Sequence, residues 1–186
     1  QGYYAGDEGS AADIARLAFR AIFQAKDGRG PQTSLTARLL EHYNCTDLRH
    51  LRRRIYGDLT RDQLAKAAGV VGQAAIDDGD RVAISLLNHA GVELGRLVVA
   101  VLRQINWLVG PVSIAPIGGV FNAGELVTRP MMAHVHEINA SASLQAAQFP
   151  PVIGALLLGY RAARYAITET LISNLEQSQH NQIFKV

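Results

Sequence analysis

PVSIAPIGGVFNAGELVTR, residues 111–129, is the most informative stretch of this sequence. Alternating β-branched and small residues lead to the pair Gly118 and Gly119, and helical spacing follows, which predicts a strand, a tight turn and a helix start. Because glycine has no Cβ, a ligand can lie against the backbone of such a turn and face the first amides of the helix. Plain α/β packing produces the same pattern. Alone, the stretch therefore leaves both a nucleotide site and a packing turn open.

On either side of this stretch the sequence predicts helices and one more strand. Upstream, residues 81–107 predict a long helix that we expect to be covered on most sides. Other apolar residues widen its main apolar face, which consists of Ile84, Leu87, Gly91, Leu94, Val98, Val101 and Ile105. Downstream, we expect a short helical piece at 122–127 interrupted by Pro130 and a helix restarting there to 138. A strand at 143–148 and helices at 153–165 and 167–177 complete this half of the chain.

The first third of the chain predicts a helical cluster. Its helices cover residues 13–26, 33–43, 46–56 and 60–78. Ser10 and Thr60 are the expected caps, and Gly57 is expected to end the third helix. Two strands each followed by a helix predict a small, partly parallel sheet, so the fold class is α/β and rich in helix. In such sheets the loop after Gly118 lies at the carboxyl end, where ligands bind.

The composition indicates a single globular domain over residues 1–186. Apolar residues make up 48%, enough to bury a core. The net charge is +2, from 18 basic and 16 acidic residues, which is too small to indicate a nucleic acid or an anionic membrane as partner. No apolar run approaches the roughly 20 residues of a membrane helix, and no signal peptide is recognisable.

The single cysteine, Cys45, excludes an internal disulfide and a cysteine-rich cluster built from this chain alone. A reducing cytoplasm is the expected compartment. His134 and His136 are two residues apart on a predicted helix and point to different faces, so we predict no metal site there. The basic run at 49–54 is interpreted as a solvated helix face.

GDEGS, residues 6–10, is the sharpest local motif. It places two carboxylates, Asp7 and Glu8, between two glycines at a helix entry. Such a pair can hold sugar hydroxyls, bind a divalent metal, or supply charge and a cap to the helix amino terminus. The residues themselves leave these three interpretations open.

Four motifs occur together in a recognisable order. They are GYYAGDEGS at 2–10, the long apolar helix after Asp80, IAPIGGVF at 114–121 and PPVIGAL at 150–156. From Gly2 to about Ala163 the chain resembles the carboxyl-terminal part of the BadF/BadG/BcrA/BcrD-type ATPases, and within them the N-acetylglucosamine kinase branch. The resemblance implies the carboxyl-terminal lobe of an actin-like, ribonuclease-H-like fold. The chain begins with Gln1, and we expect it to be a fragment whose amino-terminal lobe lies upstream.

The resemblance also implies a function for individual residues. ATP and Mg²⁺ are the expected cofactors, and a small amino sugar is the expected substrate. Asp7, with Glu8 beside it, is expected to bind the sugar. The nucleotide is expected to contact a second set: Gly118, Gly119, Val120, Phe121 and Gly154. Gly154 is expected to be a close-packing position.

No catalytic residue is assigned to the chain. The catalytic aspartate and phosphate loops of the resembling kinases precede GDEGS, so we predict that these 186 residues alone have no kinase activity. A homodimer is a further expectation by resemblance.

Two other functions stay open within the resemblance. One is an ATPase that activates a dehydratase or reductase, although those proteins carry cluster-binding cysteines and Cys45 lies away from the motifs. The other is a sugar or nucleotide sensor without activity. The sugar is also open, because Gln1 stands where many of the kinases have tryptophan, and Ala11 and Ala12 where many have aromatic residues.

Overall fold

The computed structural model describes residues 6–180, which form mostly helices. The elements in this part of the chain are α1 (Ala11–Lys26), α2 (Leu35–His42), α3 (Leu48–Gly57), α4 (Arg61–Ala65), α5 (Ala67–Asp77), α6 (Arg81–Gln104), β1 (Val112–Ile114), a 3₁₀ helix (Gly119–Ala123), α7 (Glu125–His136), β2 (Ala142–Leu144), α8 (Pro151–Ala162) and α9 (Glu169–His180).

The sheet consists of β1 and β2, which pair in parallel and are connected through α7. This confirms the predicted helix-rich α/β class with a small, partly parallel sheet. Each strand is only three residues long. A pair this small gains its stability from the helices packed on it.

Side-chain caps begin several of the helices in the described part of the chain. Ser10 Oγ accepts a hydrogen bond from the Asp13 amide at 3.2 Å, and Thr60 forms a reciprocal capping box with Gln63. Both predicted caps are confirmed. Asp47 and Asp80 cap α3 and α6 in the same way. The third helix therefore begins after Asp47, two residues later than predicted, because a carboxylate at that point satisfies the first free amides.

Several predicted helix boundaries are wrong by a few residues. The helix expected at 60–78 is two helices, α4 and α5, which meet at Lys66. The long helix α6 ends at Gln104 rather than 107, and α8 covers Pro151–Ala162 rather than 153–165. Helix ends depend on caps and packing more than on periodicity, which explains why the cores of these elements are predicted better than their ends.

Two compact units make up the described chain. The first contains residues 6–114 and 118–143, and the second contains 115–117 and 144–180. In the second unit, Ile153 of α8 and Leu175 of α9 are buried, and Gln148 Nε2 donates to Glu176 Oε1 at 2.8 Å. The prediction of one domain over the whole chain stays a prediction.

The main core of the first unit lies among α1, α2, α5 and α6. Its largest fully buried side chains are Ile14, Ile22, Leu35, Leu39, Leu51, Val71 and Leu87. A second core fills the space between α6 and α7 and includes Val99, Leu102, Met131 and Val135. Helix α6 belongs to both cores and is the central element of this unit.

By length and composition α6 could also cross a membrane. The mostly buried core helix of a globular protein passes the same test, but only 33% of the most apolar window of α6 is buried among the described residues. The expectation that this helix is covered on most sides is therefore wrong for the described chain, since Leu97 and Val101 are exposed. The expectation that no membrane is a partner stays a prediction.

Helices α6 and α7 approach each other closely at two glycines. A Cβ on Gly91 would overlap the Val127 carbonyl oxygen and lie 2.6 Å from Pro130 Cγ, and a Cβ on Gly95 would lie 2.7 Å from the Met131 oxygen. Pro130 stands inside the continuous helix α7. The predicted interruption at Pro130 is therefore wrong. Its ring packs into the space that Gly91 leaves on α6, and this contact offsets the helix hydrogen bond that proline cannot donate.

Candidate functional site

The GDEGS motif forms a tight turn fixed against α6. Asp7 and Gly9 both have positive φ, +69° and +76°, and the Ser10 amide donates to the Asp7 carbonyl at 3.0 Å. A Cβ on Gly9 would lie 2.7 Å from the Ala90 carbonyl oxygen and 2.9 Å from Leu94 Cγ. Only glycine fits here, because both the conformation and the space exclude a side chain. The turn therefore presents Asp7 from a rigid base.

Asp7 forms an ion pair with Arg61, the first residue of α4. A guanidinium nitrogen of Arg61 donates to Asp7 Oδ2, and the Asp7 side chain stays 35% exposed. The carboxylate is thus oriented by a cation and still accessible to a ligand. Sequence reasoning missed Arg61, because 54 residues separate it from Asp7 and only the fold brings them together.

A third carboxylate, Asp13, holds the turn from inside. Its Oδ2 accepts from the Gly9 amide at 3.1 Å, and its Oδ1 accepts from Arg16 at 2.6 Å. Asp13 is buried, whereas Glu8 is exposed on the turn. The helix cap is Ser10, supported by Asp13, so Asp7 and Glu8 are not needed for capping. Ser10 and Asp13 therefore supply the helix cap, which was one of the three interpretations of GDEGS.

The turn after β1 exposes bare backbone at two glycines. Gly118 has φ +121° and ψ 159°, a conformation open essentially only to glycine, and both Gly118 and Gly119 are exposed. Val120 and Phe121 are half-buried and pack against the cores of the first unit. The two apolar side chains anchor the loop, and the glycine backbone faces outward.

The helix predicted to start at this turn is displaced. A five-residue 3₁₀ helix, Gly119–Ala123, intervenes, and α7 begins at Glu125 after Gly124, whose φ is +60°. The short helical piece expected at 122–127 is wrong for the same reason. The first amides of α7 therefore lie beyond Gly124, not directly after Gly119.

Comparison with known proteins gives the family. The family model of the BadF/BadG/BcrA/BcrD ATPase family matches residues 1–159. The chain belongs to this ATPase family. A curated relative, the N-acetylmuramic acid/N-acetylglucosamine kinase of Clostridium acetobutylicum, is 33% identical over 122 residues. That alignment covers 65% of this chain and 40% of the relative.

The match to the ATPase family includes both motifs described above and ends inside α8. The family resemblance stated from the motifs is thereby confirmed. Gly154, the remaining predicted nucleotide-binding residue of this family member, lies on α8 in the second unit. No described atom outside its own helix backbone and its chain neighbours lies within 4 Å of a Cβ built on Gly154. The close packing with other elements expected there stays a prediction. The contact of Gly154 with a nucleotide also stays a prediction.

The described residues of this family member include no group of three or more His, Cys, Asp or Glu side chains arranged to hold a metal ion. A Mg²⁺ ion at Asp7 would have to compete with the Arg61 guanidinium for this carboxylate. His136 Nε2 lies 2.9 Å from the Ala142 carbonyl oxygen and His134 Nδ1 lies 3.3 Å from Glu137 Oε2. His136 thus has a partner at the start of β2, and His134 has one in the residue that follows α7.

Proposed function

We propose that this chain is the sugar- and nucleotide-binding part of an ATP-dependent kinase acting on N-acetylglucosamine or a related amino sugar. The observation that carries the proposal is the geometry of Asp7, a half-exposed carboxylate on a glycine-fixed turn, oriented by Arg61. Membership of an ATPase family and the similarity to an amino-sugar kinase support it. Because the alignment spans 40% of that relative, the activity of the whole protein is part of the proposal.

Asp7 would bind sugar hydroxyls as a hydrogen-bond acceptor. An ionised carboxylate has only acceptor sites, and hydroxyl donors to it form short, charge-assisted hydrogen bonds. The paired guanidinium limits the rotation of the carboxylate. A fixed acceptor is what positioning of a sugar for phosphoryl transfer requires.

The exposed backbone of Gly118 and Gly119 fits an ATP nucleotide. With no side chain at either position and open space around both, a base or ribose can contact the peptide planes directly. For Mg²⁺ we propose no binding residues in this chain, since the described residues include no group of three or more potential metal ligands. The proposal therefore assigns no step of the reaction to a metal held by this chain, and it assigns the catalytic base to no residue of it.

The test is sugar-dependent ADP formation by the full-length protein that contains this chain. N-acetylglucosamine, N-acetylmuramic acid, glucosamine and glucose are compared as substrates. We expect turnover with an N-acetylated amino sugar, and we expect Asp7→Asn to raise the KM for that sugar about tenfold or more, since the neutral amide forfeits charge-assisted hydrogen bonds.

Asp27→Asn is the matched control for this experiment. Asp27 is also an exposed aspartate paired with an arginine, Arg29, at 2.6 Å, but it lies after α1 at the end opposite to GDEGS. The control should leave both kcat and KM unchanged. ADP formation that does not depend on any sugar would contradict the kinase and indicate an ATPase of another kind. Equal KM values for Asp7→Asn and the parent would remove Asp7 from the sugar site.

A further inference from the structure

A cleft of about 840 Å³ opens on the surface of the first unit between α1, α3 and α4. Its volume lies within the roughly 300–1,000 Å³ typical of small-molecule sites. Most of its wall is apolar, and three of its side chains are aromatic. The cleft is lined by Ala12, Ala15, Arg16, Phe19, Arg20, Phe23, Ile55, Tyr56, Arg61 and Leu64. None of the residues assigned above to sugar or nucleotide binding lines it.

All three charged side chains in the lining are arginines. Arg16 and Arg61 are engaged by Asp13 and Asp7 at the GDEGS turn. Arg20 is exposed and forms no ion pair within residues 6–180. Two of the arginines are thus paired with carboxylates outside the lining, and Arg20 leaves an excess of positive charge over an apolar wall. This combination attracts anions and disfavours cations.

Tyr56 is the most unusual residue of the cleft. Its side chain is 86% exposed although it ends the apolar wall, and Arg52 and Arg53 flank it in a neighbouring shallow concavity. An exposed aromatic ring among guanidinium groups can stack on a flat ring while the cations bind its acidic group. Inside a protein of small net charge, such a cluster on one face needs an explanation beyond solubility.

We propose that this cleft binds a small organic anion with an aromatic or other apolar body. The body lies against Phe23, Ile55 and Tyr56, and the acidic group contacts Arg20. This site is separate from the Asp7 carboxylate, although Arg61 belongs to the lining of one and is the partner of the other. The inference does not depend on the kinase activity.

The experiment is isothermal titration calorimetry of the full-length protein with 2-naphthoate as probe. The neutral analogue 2-naphthalenemethanol has the same rings without the carboxylate, so the pair isolates the contribution of charge. Saturating ADP is present to occupy the nucleotide site. We expect 2-naphthoate to bind about fivefold more tightly than the alcohol, and Arg20→Gln and Tyr56→Ser each to weaken its binding about fivefold.

Two variants outside the cleft serve as controls. Arg103→Gln removes an exposed arginine from α6, and Tyr165→Ser removes a tyrosine that is 69% exposed in the second unit. Neither should change the affinity for 2-naphthoate. The proposal is overturned if the alcohol binds as tightly as the acid, if the controls weaken binding as much as the cleft variants, or if no saturable binding occurs at millimolar probe. It is also overturned if the probe binds only when ADP is left out.

Discussion

At the scale of single residues, Asp80 joins two parts of the chain through four hydrogen bonds. Its Oδ2 accepts from Thr33 Oγ1 at 2.8 Å, from the Ser34 amide at 2.6 Å and from Ser34 Oγ at 3.0 Å, and its Oδ1 caps α6 through the Ala83 amide at 2.9 Å. Burial raises the pKa of this carboxyl, but the hydrogen bonds from Ala83, Thr33 and Ser34 outweigh it, and the pKa is lowered from its ordinary value. Asp80 thereby joins the start of α2 to the start of α6.

We expect Asp80→Asn to lower the free energy of unfolding by about 2–3 kcal/mol at pH 7. The asparagine Oδ1 still caps α6, but its NH₂ group faces the donors at Thr33 and Ser34 and leaves them unpaired. Because the folded pKa of Asp80 lies below the unfolded value, its stabilisation is present above the unfolded pKa of about 3.9 and is lost as the pH falls through the folded pKa. The difference between variant and parent should therefore shrink in acid.

Urea denaturation at several pH values measures the difference in the free energy of unfolding between Asp80→Asn and the parent. The control variant is Asp47→Asn. Asp47 caps α3 with one hydrogen bond to the His50 amide at 2.7 Å, in an exposed position. Asparagine caps a helix as well as aspartate does, so this variant should change stability by only a few tenths of a kcal/mol. A similar loss in both variants would show that the network around Asp80 adds nothing beyond its cap.

At the scale of elements, the crossing of α6 and α7 determines the first unit. Gly91 and Gly95 are one helical turn apart, and together they let the α7 backbone approach α6. The periodicity of α6 predicted an apolar face that is buried at Leu87 and Gly91 but exposed at Val101. It could not predict that Pro130 lies opposite, since proline in a helix is favourable only where a partner surface accommodates its ring.

Gly91→Ala should destabilise the protein by about 3 kcal/mol, because the new methyl group overlaps the α7 backbone at Val127, which cannot rotate away. Gly72→Ala in α5 is the control without a steric clash, since a Cβ there meets no atom within 4 Å outside its own helix backbone and chain neighbours. It should stabilise the helix by about 0.5–1 kcal/mol. Urea midpoints of the two variants give the comparison, and equal shifts of the same sign would contradict the close approach of the helices.

At the scale of the whole molecule, the sequence predicted what local chemistry determines. The cap at Ser10, the GDEGS turn and the bare glycines at Gly118 and Gly119 follow from residue types and spacing. The pairing of Asp7 with Arg61 and the cleft could not be predicted, because each joins residues from separate helices and depends on how α4 packs beside α1. Those tertiary contacts decide what the predicted motif can bind.

The two units should differ in local stability. Buried side chains are dense among α1, α5 and α6, whereas within the described part of the second unit only Ile153 and Leu175 are buried among apolar residues. Amides open by local unfolding more readily where little apolar surface is buried. In the 186-residue chain we therefore expect amides of α8 and α9 to exchange with deuterium at least about a hundredfold faster than those in the middle of α6.

Hydrogen exchange followed by mass spectrometry resolves the two units, and α3 provides the internal reference. This helix is also highly exposed, but its Leu51 is fully buried in the main core and Asp47 caps it. Its exchange should therefore be slower than that of α8. If α8 were protected as strongly as α6, the second unit would have to unfold together with the first, and its few buried side chains would not determine its local stability. Fast exchange in α8 with slow exchange in α3 would show that core contacts, rather than helix length, set the order of opening.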